Sequence, residues 1–147
     1  MPYHESGITS LVLLALSHGG MDIESTPVMQ GLAWLREQKP EGTYAVSLQT
    51  LALARIVPES GRAIVERNVS WLEAAQSQDG KFAGAWSYRQ AHLGIPGDNS
   101  NSQFAILALH AAAELGVEIE EATWKRARQY WIECANTDGS WGYTKDV

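Results

Sequence analysis

Trp71-Leu72-Glu73-Ala74-Ala75-Gln76-Ser77-Gln78-Asp79-Gly80-Lys81-Phe82 decides the fold, because the chain repeats this stretch twice more in looser form. Trp34-Leu35 runs on to Glu41-Gly42-Thr43-Tyr44, and Trp131-Ile132 to Asp138-Gly139-Ser140-Trp141. Each copy places an aromatic-aliphatic pair near the end of a helical stretch and an acidic-Gly turn with an aromatic just beyond it. Similarity at a period of tens of residues marks a repeat architecture.

A second phrase moves in step with the first. Leu14-Ala15-Leu16 returns as Leu51-Ala52-Leu53, and both this phrase and the Trp pair shift by 37 positions, from 16 to 53 and from 34 to 71. It returns again as Leu107-Ala108-Leu109, shifted by 56 while the Trp pair shifts by 60, so the third unit carries about twenty extra residues. Most of the surplus lies in 83–100, whose Gly84, Gly94, Pro96 and Gly97 predict a long loop.

Each unit resolves into two helices of different character. The first, over roughly 7–18, 47–57 and 101–115, is apolar almost all round, as in Phe104-Ala105-Ile106-Leu107-Ala108-Leu109, and is expected to be buried on most sides. The second, over roughly 26–38, 61–76 and 120–135, is amphipathic, with Val65, Val69 and Leu72 at helical spacing between Glu66, Arg67 and Glu73. Thr26-Pro27 supplies a start signal and Gly116 a stop. The expectation is an all-α, partial α/α toroid of three helical hairpins, inner helices lining an axis and outer ones sheathing them. Tetratricopeptide-like repeats have a shorter period, about 34 residues, and are not expected to place an acidic-Gly-aromatic turn after every second helix.

The 147 residues suffice for one domain and fall short of two comfortable ones. A composition 45% apolar and 19% charged belongs to a folded globular chain. Eleven basic side chains against 17 acidic ones, net −6, argue against a nucleic-acid partner, and Lys125, Arg126 and Arg128 are read as a solvated helix face. The lone Cys134 excludes an internal disulfide framework, and the apolar run Leu11–Leu16 is too short to span a bilayer.

These residues resemble the squalene cyclase and protein prenyltransferase superfamily, whose α/α toroids carry QW repeats: a basic and a small residue, an aromatic-aliphatic pair, a Gln, and a closing Gly-x-Trp. Trp71-Leu72, Gln76 and Gly80-Lys81-Phe82 match with Phe for the last Trp; Arg126-Ala127, Trp131-Ile132, Asn136 and Gly139-Ser140-Trp141 match with Asn for Gln; Trp34 and Gly42 mark the loosest copy. The chain looks most like the prenyltransferase/squalene cyclase repeat proteins of bacteria. The motif is expected to staple hairpins together, its aromatic folding onto an open helix end.

In squalene-type cyclases the resemblance implies an Asp-x-Asp-Asp-Thr acid at the entrance of an inner helix, whose middle aspartate protonates an alkene or epoxide. The corresponding segment reads Asp98-Asn99-Ser100-Asn101-Ser102-Gln103, with Ser100 in the donor position, so Asp98 is the remaining candidate acid and equally a helix N-cap. The Asp, Cys and His set of zinc prenyltransferases has no counterpart, since Cys134 falls in an outer helix and His4, His18, His92 and His110 lack ligand spacing. No cofactor is expected, and the sequence leaves open whether the chain is an enzyme.

A cavity remains. Residues entering the inner helices share one end of the barrel: His4, Glu5, Tyr44, Gln49, Asp98, Asn101 and Gln103, joined by Trp86, Tyr88, Arg89 and His92 from the loop. A polyisoprenoid or other apolar ligand is the expected occupant. The competing expectation is a non-catalytic scaffold or protein-binding module of a larger polypeptide. Family rings close with more pairs than these three, so residues 1–147, with repeats at 5–44, 45–88 and 98–144, are expected to be one segment completed by further helical pairs or by a second copy.

Overall fold

The computed structural model describes residues 2–90 and 96–145, with side chains from residue 5 onward. His92, and the side chain of His4, lie outside the described residues. Six helices follow one another: α1 (Pro2–His18), α2 (Thr26–Glu37), α3 (Thr43–Ile56), α4 (Pro58–Ala75), α5 (Asn99–Glu114) and α6 (Glu121–Glu133). Among the described residues the only extended pairing is two isolated bridges, Trp86 with Asp98 and Ala135 with Trp141.

The odd-numbered helices form an inner row, with α3 between α1 and α5, while α2 backs α1 and α4 backs α3 and α5. Position in the row explains the burial pattern. Central α3 buries Ala45 through Thr50 as well as Ala52, Leu53 and Ile56, whereas α1, with one inner neighbour, leaves Ile8 62%, Leu11 55% and Val12 51% exposed. An all-round apolar sequence is thus sealed only where helices flank it on both sides.

Outer helices bury one stripe each: Val28, Leu32 and Leu35 on α2, Val65, Val69 and Leu72 on α4, Ala127 and Tyr130 on α6. These residues recur at three- and four-residue steps, the spacing of one helical face. Leu35, Leu53, Leu72 and Leu109 are wholly buried, each contributing about 1.5–3 kcal/mol of apolar burial. Between α3 and α4 the chain turns on Val57 alone, because Pro58 disfavours helical geometry at the residue before it and then starts the next helix.

The repeat closes differently from its sequence appearance. Gly80 and Gly139 adopt left-handed φ of 72° and 85°, but Gly42 has an extended φ of −149° and caps α3. Glu41-Gly42-Thr43-Tyr44 is therefore the entrance to the second inner helix, and Tyr44 belongs to the second unit rather than ending the first. The first unit closes its outer helix with Gln38 instead, whose Nε2 donates to the Trp34 carbonyl at 3.0 Å.

Phe82 is likewise not the counterpart of Trp141. Trp86 is: its indole N–H donates to the Leu72 carbonyl at 2.7 Å, as that of Trp141 donates to the Trp131 carbonyl at 2.9 Å. The Phe82 ring instead packs beside Ala85, Tyr130 and Cys134. Four residues after Gly80, Gly84-Ala85-Trp86 supplies the Gly-x-Trp that Gly80-Lys81-Phe82 imitates.

Two residues beyond each indole the chain returns to the start of its own inner helix. Thr43 N–H donates to the Tyr88 carbonyl at 3.1 Å and Thr43 Oγ1 to the Ser87 carbonyl at 2.5 Å. In the third unit Asn99 N–H donates to the Tyr143 carbonyl at 2.8 Å and its Nδ2 to the Gly142 carbonyl at 2.7 Å. Trp86-Ser87-Tyr88 and Trp141-Gly142-Tyr143 are thus one structural element used twice.

Gln and Arg side chains join unit to unit. Gln76, buried at the end of α4, donates to the carbonyls of Gly84 and Thr123 and accepts from Arg126 Nε at 2.9 Å. One unit earlier, buried Gln49 donates to the Leu35 carbonyl at 2.8 Å and accepts from Asn68 Nδ2 at 2.9 Å and Arg67 Nη2 at 3.0 Å. The Gln49 joint satisfies a carbonyl in the last turn of α2, and the Gln76 joint ties the Gly84 loop to the first turn of α6.

Candidate functional site

The N-terminal ends of α3 and α5 meet the two returning Trp-x-Tyr segments, and aromatic rings gather there. Tyr44, in the first turn of α3, lies with its ring centroid 5.0 Å from Phe104 and 5.9 Å from Tyr88, both tilted. Its hydroxyl hydrogen-bonds the Ser100 hydroxyl, and the hydroxyls of Tyr88 and Tyr143 lie 3.1 Å apart. That hydrogen bond, then partial burial, then the negative charge of Asp98 push the Tyr143 phenol up to about 12.

A groove of about 680 Å³ opens beside this cluster, floored by Gly7, Ile8 and Leu11 of α1 and by Ala45 and Leu48 of α3. Tyr44 and Tyr88 stand at its aromatic end, with Glu41 and Arg89 on the rim. Of the residues expected there, Tyr44, Tyr88 and Arg89 are the ones that line it.

The others go elsewhere. Trp86 is fully buried, its polar edge committed to the Leu72 carbonyl, so it braces the core and does not face a ligand. Gln49 is also fully buried, holding the first joint on the side of α3 that meets α4. Gln103 is exposed on α5, and Asn101 is buried beneath the helix entrance.

Asp98 is the N-cap of α5. One carboxylate oxygen accepts from Asn101 N–H and the other from Asn101 Nδ2, both at 2.8 Å, while the residue is only 5% exposed. A carboxylate held this way satisfies a helix start. Asp98→Ala is expected to lower stability by about 1–3 kcal/mol, losing the cap and stranding a buried amide, while Asp98→Asn costs less than half as much. Denaturant melts of the two variants check this; equal losses would remove the capping role.

Arg67 and Asn68 escaped sequence reasoning as joint residues, and Arg126, read with Lys125 and Arg128 as a solvated helix face, is instead half-buried with its Nε on Gln76. Arg67 and Arg126 are separated by 59 positions, almost the 60 of the Trp pair, and that coincidence was the available signal. Among the described residues no three His, Cys, Asp or Glu side chains gather as a metal site, and no helix is long and apolar enough to cross a membrane.

Paired inner and outer helices, indoles folded over outer-helix ends and an apolar groove along the inner face define a helical-repeat protein of the α/α toroid class. The chain belongs to the squalene-hopene cyclase C-terminal domain family, whose profile matches residues 4–146, and so to the terpenoid cyclase/prenyltransferase superfamily. No match was found among functionally curated proteins, and none among experimentally solved structures.

Proposed function

We propose that this terpenoid cyclase-like domain binds a polyisoprenoid or similarly apolar chain along its inner face. The groove of about 680 Å³ carries the proposal, since its floor is aliphatic and its polar groups stand at one end. Binding without conversion is the better-supported form, because Asp98, the residue that would move a proton, spends both oxygens on Asn101.

Farnesol is the probe. Calorimetric titration should detect binding to the native chain, and Leu11→Asp, a change at a 55%-exposed wall position that folding tolerates, should weaken it at least about tenfold, the equivalent of one lost aliphatic contact. No heat with farnesol, or equal affinity in the variant, would refute the reading.

A second reading has its own support. The exposed Ile8, Leu11 and Val12 of α1 and Leu107 of α5 suit a non-catalytic repeat whose apolar flanks are covered by further helical pairs or another copy. Failure of farnesol to bind leaves that scaffold standing.

A further inference from the structure

A second hollow, of about 660 Å³, lies across the ridge formed by Glu41 and Arg89, which line both cavities. Its lining carries charge where the groove's floor is aliphatic. Lys39, Arg67 and Arg89 face it with Glu41 as the sole acid, although the whole chain carries a net charge of −6. Trp71, half-buried, and the Ser70 hydroxyl complete the polar wall.

The three cations are unequally occupied. Arg67 is held in place by Gln49 and Asn68, and burial holds its guanidinium below the ordinary value, so a neighbouring anion would relieve the cost of its desolvation. Lys39 and Arg89 are exposed and make no ion pair or hydrogen bond through their side chains among the described residues. One fixed guanidinium and two uncommitted cations around an open hollow are the elements of a phosphate site, since Arg and Lys together supply both directed and adaptable donors.

We propose that this hollow binds a phosphate-bearing group. The group comes either from a free phosphate or diphosphate, or from the head of an amphiphile whose tail lies in the apolar groove across the ridge. The second source rests on the groove reading above; the anion site itself does not.

Titration at low salt with inorganic diphosphate, farnesol and farnesyl diphosphate separates the cases. Diphosphate is expected to bind the native chain, and the double variant Lys39→Ala/Arg89→Ala to weaken it at least about tenfold while the helical circular dichroism stays unchanged. Absence of diphosphate binding, or equal affinity in the double variant, overturns the site. Farnesyl diphosphate binding more tightly than either part assigns the phosphate to an amphiphile; affinity equal to that of diphosphate assigns it to the free ion. Diphosphate binding without farnesol binding removes only the groove, and the converse removes only the anion site.

Discussion

Gly84→Ala is expected to destabilise the chain by about 3–5 kcal/mol, a cost reserved for substitutions that force backbone apart. Gly84 holds a left-handed φ of 91°, and an added Cβ would sit 2.1 Å from the Arg126 carbonyl oxygen and 2.5 Å from its carbon. Neither atom is the end of a flexible side chain, so α6 itself must retreat, carrying Arg126 away from Gln76. Gly80→Ala is the control. Gly80 shares the left-handed geometry, φ 72°, but an added Cβ meets nothing within 4 Å, leaving only the conformational cost of about 1–2 kcal/mol. Urea melts of both variants measure the difference; if the two lose stability equally, the contact with α6 is not what requires glycine at 84.

Trp86→Ala should cost about 3–5 kcal/mol, because a fully buried indole leaves a large cavity and the Leu72 carbonyl loses one of its two hydrogen bonds, keeping that from Gln76 N–H. Phe82→Ala, removing a half-buried ring beside Ala85 and Tyr130, should cost less than half as much. The comparison tests which aromatic closes the second unit. Trp86→Phe isolates the hydrogen bond, at about 1 kcal/mol beyond the change in ring size. A Phe82 variant less stable than the Trp86 variant would restore the shorter Gly-x-aromatic spacing.

The helical layers were legible because two phrases moved together along the chain. Leu-Ala-Leu sits in the C-terminal half of each inner helix, and the Trp pairs mark outer-helix ends, so a shared shift of 37 identified a unit before any helix was drawn. Joints were harder. Glu41-Gly42 and Asp79-Gly80 look alike in composition, but backbone angles separate them: one glycine is extended before a helix and the other left-handed after one. Residues 81–84 then hide Gly84-Ala85-Trp86 behind Lys81-Phe82, although the recurrence of Trp-x-Tyr at 86–88 and 141–143 was there to be found.

The site divided along the same line. Tyr44 and Tyr88 follow from lying at an inner-helix entrance and on the returning segment, and both reach the groove. Gln49 does not, since in a helix buried on nearly every face composition cannot say which polar residue points to the axis and which to the sheath. Asp98 has the composition of both a catalytic acid and a cap; the difference lies in Asn101, which supplies two donors to its carboxylate.

The backbone hydrogen bonds from Thr43 to Tyr88 and from Asn99 to Tyr143 leave the way in and the way out of a unit side by side. A segment whose two ends already touch can be copied, deleted or spliced into the chain without stretching its neighbours, and only a short connector has to be found. Rings of different size can therefore arise by duplicating whole modules, with chemistry free to change at the inner face while the seams stay the same.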